Sequence, residues 1–236
     1  ESKFLIVSEG VHSKIKNILK IDSQIIDYSQ TSYVYNAKAS FKKNTAIQIF
    51  NKYGIFAGIP SNNDCFNLVL SINNNYKEKI FKGETPNIKL LQSIFKDYAD
   101  NLHDLSFVSK YELVTSRANE IIRDNILLLG NSSQLLHPVG AQGFNLALRN
   151  VDDMINCILA DSCFKNLRSL INLERNSTFS YVDFATNILA NNRIPSRIVS
   201  IAAFNILKSS AFIKSKFMES ILGIKNYPYL SIGVKE

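Results

Sequence analysis

The residues with the clearest capacity for chemistry lie between Gly130 and Arg149, in the stretch GNSSQLLHPVGAQGFNLALR. An apolar run, Ile126 to Leu129, leads into Gly130, and a helix-patterned stretch begins near Phe144. Three of the nine glycines in the 236-residue chain, Gly130, Gly140 and Gly143, fall here. Strand, glycine-rich loop and helix together place backbone N–H groups at a helix N-terminus, where they have no partner within the helix. With the helix dipole, those groups attract an anionic or electron-rich ligand edge. Gly140 and Gly143 let a flat ligand approach the main chain with no Cβ in the way, and Pro138 stiffens the approach. Asn131 sits at the strand end, where open α/β sheets bind ligands. An ordinary strand-to-helix connection takes about 2–6 residues. This one runs from Gly130 to Gly143, which favours a ligand loop over a simple bend.

The elements that must position this loop follow from apolar patterning. Residues 3–8 predict a short strand ending at Glu9-Gly10, and Ser13 to Leu19 a weak helix. Residues 31–39, 54–60 and 66–72 read as strands with asparagine-rich turns between them. Their short connections favour antiparallel pairing. Ile88, Leu91, Ile94, Phe95 and Tyr98 share one face of a helix expected over 87–100. Strands follow at 106–114 and 126–129. The helix after the loop should run from Phe144 to Leu159, burying Phe144, Ala147, Leu148, Val151, Met154, Ile155 and Ile158. From Leu167 onward the chain reads as helical, with a break at Pro195 and a last helix near Ser196.

Bulk properties narrow the function. With 46% hydrophobic residues the chain can bury a real core. The net charge of +7 alone does not indicate nucleic acid, because no aromatic-basic motif of a nucleic-acid module accompanies it. Cys65, Cys157 and Cys163 have neither metal-ligand spacing nor a paired framework, which fits a reducing, cytoplasmic setting. No stretch is long and apolar enough for a spanning helix. The first residue is Glu1 within strand-like sequence, so the start of the protein is expected to be missing.

The stretch 130–150 resembles the second flavin motif of the class A FAD-dependent monooxygenases, and most of all their ubiquinone-biosynthesis hydroxylase branch. Gly130, His137, Pro138, Gln142, Gly143, Asn145 and Arg149 match its pattern, with Asn131 in the form typical of that branch. The glycine of that family before Gln is Ala141 here, and its Asp after Arg is Asn150. VSEGVHSKIK is similar to a second motif near the FAD pyrophosphate: Gly10 and Ser13 match, Glu9 stands for Asp and Lys16 for Arg. AIQIFNKYGIFAGIP looks like a segment of the antiparallel sheet over flavin and substrate, and YELVTSRA like the segment before the flavin strand. Arg175 and Arg197 fit an arginine-marked helical tail.

The resemblance implies an α/β (α+β) fold: a partial Rossmann-like FAD-binding domain (1–24 and 118–165), an antiparallel-sheet substrate domain (25–117) and a helical C-terminal region (166–236). It implies FAD as cofactor, held by Glu9, Gly10, Gly130, Asn131, Pro138, Gly140, Gln142, Gly143, Phe144 and Asn145. It further implies NAD(P)H and O2 as co-substrates, and hydroxylation of a polyprenylated phenol through a flavin hydroperoxide. Pro138 should lie near the reactive flavin edge. His137 could act as a general base, but packing within the loop is the better expectation. No strand-GxGxxG-helix segment for the ADP half of FAD occurs in 1–236, so the FAD site is expected to be incomplete. A sibling flavoenzyme with another substrate, or a non-catalytic assembly subunit of the same fold, are the alternatives.

Other chemistry-bearing residues have plainer expectations. His12 and His103 should be on the surface, and adjacent Asp152 and Asp153 on a solvated helix face. Pro195–Lys225 carries Arg197, Lys208, Lys214, Lys216 and Lys225 against one acid, Glu219. A basic amphipathic helix of this kind suits either peripheral contact with the inner face of the cytoplasmic membrane or packing on its own domain. The resemblance to the ubiquinone-biosynthesis branch also implies membership of a ubiquinone-biosynthesis complex.

Overall fold

The computed structural model describes residues 3–41, 45–61, 65–160, 164–186, 201–202, 205–206 and 208–222. In chain order the elements are β1 (Leu5–Val7), α1 (Lys14–Ile18), β2 (Ser23–Phe41), β3 (Ile47–Asn51), β4 (Gly54–Pro60), β5 (Cys65–Asn73), α2 (Lys77–Ile80), β6 (Phe81–Lys82), β7 (Thr85–Pro86), α3 (Ile88–Phe95), β8 (Ala99–Ala118), β9 (Ile122–Arg123), β10 (Ile126–Leu128), β11 (Gln134–Leu135), α4 (Gln142–Leu159), α5 (Phe164–Phe184) and α6 (Ala211–Leu222). The mixed α/β class expected from the sequence is the one observed. The described residues form two compact units. One joins 3–24 with 116–183 and the described residues after 198; the other holds Ile25–Thr115 with 184–186.

In the second unit the long strands make an antiparallel sheet in the order β8-β2-β5-β4-β3. Period-two alternation turns Tyr33, Tyr35, Ala37 and Ala39 of β2 to the same face as Phe66, Leu68, Leu70 and Ile72 of β5. α3 lays Leu91 and Phe95 into this cluster, with the Phe95 ring edge-on to Phe56 and Phe66. Each such side chain contributes about 1.5–3 kcal/mol on burial. The Asn87 side chain caps α3 by accepting from the Leu90 N–H. The predicted face holds only in part, because α3 stops at Phe95. Tyr98 lies beyond its last turn and is exposed, as is Ile88. β3, absent from the apolar patterning but inside the sheet segment that the resemblance implies, forms a hairpin with β4. At Gly54, with φ +144°, a Cβ would sit 2.0 Å from the Ser71 carbonyl oxygen, so only glycine fits.

In the first unit β10 is central, parallel to β1 and antiparallel to β9. Val7 lies opposite Leu128, and the Leu129 N–H donates to the Val7 carbonyl. Ile121, Ile122, Leu127 and Leu129 pack on Met154 and Cys157 of α4 and on Leu167 and Ile171 of α5. β11 pairs with Ser116 and Arg117 at the end of β8.

Helix α4 occurs where expected, but of the expected face only Met154 is buried, with Val151 partly so. Phe144 is 72% exposed, and Leu148, Ile155 and Ile158 are also exposed. The buried residues are Gln142, Leu146, Asn150, Asp153, Met154 and Cys157. Polar groups occupy this face because partners await them: Gln134 Nε2 donates to Asn150 Oδ1, and Asn150 Nδ2 to Glu174 of α5. Asp153 is therefore not on a solvated face, whereas its neighbour Asp152 is exposed. His12 and His103 are exposed as expected. Pro195, Ser196 and Arg197 lie outside the described residues, so the helix break and the start of the basic segment do too. No helix among the described residues is long and apolar enough to cross a membrane.

Candidate functional site

The loop after β10 is fixed to β1 before it reaches α4. Gly130 takes φ +62° and starts a 3-10 turn over Gly130–Ser132. The Ser132 hydroxyl donates to the Val7 carbonyl and accepts from the Leu129 N–H. Ser133 Oγ donates back to the Gly130 carbonyl. A second 3-10 turn, Val139–Ala141, holds Gly140 at φ +69°, and the next residue, Ala141, also lies in the left-handed region at φ +51°. Tyr181 of α5 closes over Gly140: a Cβ there would be 3.0 Å from the Tyr181 hydroxyl. The Ala141 side chain has no polar atom, so α4 starts without a side-chain N-cap.

These constraints leave a cavity of about 530 Å³ in the first unit. Its walls come from Ser8 and Gly10 after β1, from Leu129, Gly130 and Asn131, from Leu135 to Pro138, and from Ala141, Gly143, Phe144 and Ala147. Of the residues expected to hold cofactor, Gly10, Gly130, Asn131, Pro138, Gly143 and Phe144 meet at this cavity, together with His137. Glu9, Gly140, Gln142 and Asn145 do not line it. Gln142 is buried, and its Nε2 donates to the Gly140 carbonyl. Glu9 is turned onto α1, where it accepts from the Ser13 hydroxyl at 2.6 Å and the Ile15 N–H at 3.1 Å. The Ser13 bond, and then the Ile15 bond, hold its carboxyl below the usual range. Asn145 is exposed on the first turn of α4.

His137 is buried, and burial pushes its pKa down to about 4. Its Nδ1 lies 3.2 Å from the Val139 N–H and accepts from it. A neutral ring with Nδ1 as acceptor braces the turn that follows Pro138. No lysine or arginine lines the cavity. No group of three or more histidine, cysteine or acidic side chains that could hold a metal occurs among the described residues.

Sequence reasoning missed Ser132, Leu135, Leu136 and Tyr181. Ser132 lay inside the recognised loop, but only the return of Val7 from 125 residues away gives its hydroxyl a purpose. Nothing local in the sequence marks Tyr181 as the neighbour of Gly140.

The fold is shared with solved flavin-dependent enzymes. The chain superimposes on OxyS anhydrotetracycline hydroxylase from Streptomyces rimosus with a TM-score of 0.64, at 15% identity, over 98% of this chain and 47% of that one. For the flavin-dependent brominase Bmp2 the TM-score is 0.66, at 14% identity, over 94% of this chain and 58% of the other. In sequence it is similar to the ubiquinone hydroxylase UbiM of Neisseria meningitidis, 27% identical over 162 residues, or 67% of this chain and 35% of that protein. The resemblance drawn from the 130–149 motif is thus borne out. No family model matches the chain. The chain spans about a third of the length of that hydroxylase and about half of the solved chains.

Proposed function

We propose that this chain forms the flavin-ring and substrate-facing part of an FAD-dependent monooxygenase of ubiquinone biosynthesis, which hydroxylates a polyprenylated phenol with NAD(P)H and O2. The observation that carries the reading is the cavity at the uncapped start of α4, walled by glycines, apolar side chains and a neutral histidine. That lining fits the flat, largely uncharged ring end of a flavin. It does not fit the pyrophosphate end, since no cation lines it and Glu9 is engaged with Ser13 and Ile15. The ADP half therefore needs residues other than those that line this cavity.

Bound FAD would supply the redox chemistry and the activation of oxygen. The residues of this chain bind, orient and exclude water. Gly10, Gly130, Asn131, Gly143 and Phe144 would hold the ring, and Pro138 would set its distance from the loop. The N–H groups of the first turn of α4 would stabilise negative charge on the reduced ring, as fixed donors do in a water-poor site. His137, neutral above about pH 4, would hold the turn that follows Pro138. Peripheral contact of 195–225 with a membrane, where a polyprenylated substrate resides, belongs to the same proposal.

The reading is tested by expressing the chain with any coding sequence that precedes it. The purified product is expected to show flavin absorbance and to oxidise NAD(P)H in a manner dependent on a polyprenyl phenol. A folded but colourless product would overturn the monooxygenase reading in favour of a non-catalytic subunit of the same fold, which the cation-free lining also accommodates. A flavin-loaded product that acts only on other substrates would shift the reading to a sibling flavoenzyme.

A further inference from the structure

Arg175 of α5 heads the largest fully buried side chains, at 1% exposure. Its Nη2 donates to the Ala118 carbonyl at 2.9 Å and the Ser133 carbonyl at 3.3 Å, and its Nη1 to Asn172 Oδ1 at 3.1 Å. All three acceptors are neutral. Its Nε is buried without a hydrogen-bond partner. Arg117, at the end of β8, donates to Asn176 and lies over the Phe179 ring. Neither guanidinium has a carboxylate at ion-pair distance among the described residues. Glu174, next to Arg175 in sequence, pairs with Arg149 and accepts from Asn150. Burial, and then repulsion from Arg117, brings the Arg175 pKa down to about 10.

Arg117, Arg175, Gln24, Ala118, Asn119 and Asn172 line a second cavity, of about 390 Å³. It lies within the first unit and shares no lining residue with the flavin-loop cavity. A buried cation without a counter-charge costs several kcal/mol, and buried charges in proteins are paired as a rule. Two guanidiniums and three side-chain amides around one space have donors to spare and lack only an acceptor with negative charge.

We propose that this second cavity is an oxyanion site, which takes a carboxylate or a phosphate-class group between Arg117 and Arg175. Guanidinium donors recognise both by paired, charge-assisted hydrogen bonds. Two sources could bring that chemistry: a free tetrahedral oxyanion, or the planar carboxylate of a small acid or an acidic side chain. The inference does not rest on the flavin reading.

The purified chain is titrated with sodium phosphate in one arm and sodium formate in the other, with ionic strength held constant by chloride. Melting temperature and calorimetric heat are followed. A saturable rise in melting temperature is expected in at least one arm. Saturation by phosphate alone assigns the free oxyanion, and saturation by formate the carboxylate. Arg117→Gln, at a half-buried position, is expected to weaken binding about tenfold or more, as losing a charge-assisted pair does. Lys38→Gln, in the other unit, should leave it unchanged. Arg117→Lys keeps the charge but loses the fork, and should also weaken binding, so one folded variant suffices. No saturable effect in either arm, or equal affinity in a folded Arg117 variant, overturns the site. Neither result bears on flavin binding.

Discussion

Between the sheet strands and α3 of the second unit, the interior is aromatic and aliphatic throughout: Tyr33, Phe56, Phe66, Leu68, Leu70, Leu91 and Phe95. Between β11, α4 and α5 of the first unit it includes Gln134, Asn150, Asp153, Glu174 and Arg175, all buried. An apolar interior loses stability in proportion to the area and volume removed, whoever the neighbours are. A hydrogen-bonded interior is sensitive to the loss of one partner but tolerates the loss of both, because the penalty lies in the group left unpaired. The apolar interior lies under the sheet, and the hydrogen-bonded one behind the loop whose exact shape the proposed site requires.

Phe95→Ala should cost about 4 kcal/mol, since it empties the centre of the sheet core. Urea unfolding measures this, and a loss under about 1 kcal/mol would mean that the core collapses around the gap. Glu174→Ala should cost about 3 kcal/mol by stranding Arg149 and Asn150. Unlike the Phe95 loss, the part due to Arg149 should return in the double variant Glu174→Met with Arg149→Met, while Asn150 Nδ2 stays without its acceptor. If the double variant is no better than the single one, the two interiors are not different in kind.

His137 adds a dependence on pH that the sheet core lacks. Its unfolded value is 6.5 and its folded value about 4, so the unfolded chain binds the proton first. The stability it contributes is complete above pH 6.5 and is lost as pH falls through the folded value, about 2 kcal/mol being gone at pH 5. The acid limb of a stability–pH profile should be shallower in His137→Leu, and an unchanged limb would show that the imidazole is not buried neutral. The smallest effect is a gain. Ala141→Gly relieves a left-handed alanine and should stabilise by about 0.5–1 kcal/mol. A loss on that substitution would mean that the alanine methyl packs well enough to offset its strain.

The same contrast explains what could be read in advance. Strand alternation reported the sheet core directly, because β2 and β5 bury apolar residues at every second position along Tyr33–Ala39 and Phe66–Ile72. The loop from Gly130 to Gly143 was legible from its glycines, and Ala141, where the resembling family has glycine, shows at φ +51° why glycine belongs there. The buried face of α4 was not legible. Apolar periodicity favours Phe144, Leu148 and Ile155, whereas the face that turns inward is chosen by Gln134 and Glu174, 16 and 24 residues from Asn150. Arg175 stood out in the sequence only as a tail residue. Its neighbour Arg117 lies 58 positions upstream, and no local pattern predicts that two like charges share a cavity.

The parallel pairing of β1 with β10 has a consequence for how the protein is made. Val7 pairs with Leu128, and the residues of the sheet unit, Ile25–Thr115, lie between them in sequence. On a ribosome adding about 5–20 residues per second, β1 waits on the order of ten seconds for β10. The sheet unit, whose β3, β4 and β5 are neighbours in sequence, can form its hairpins in that interval. Leu5 and Ile6 must meanwhile be kept from pairing elsewhere, so early misassembly should concentrate at β1.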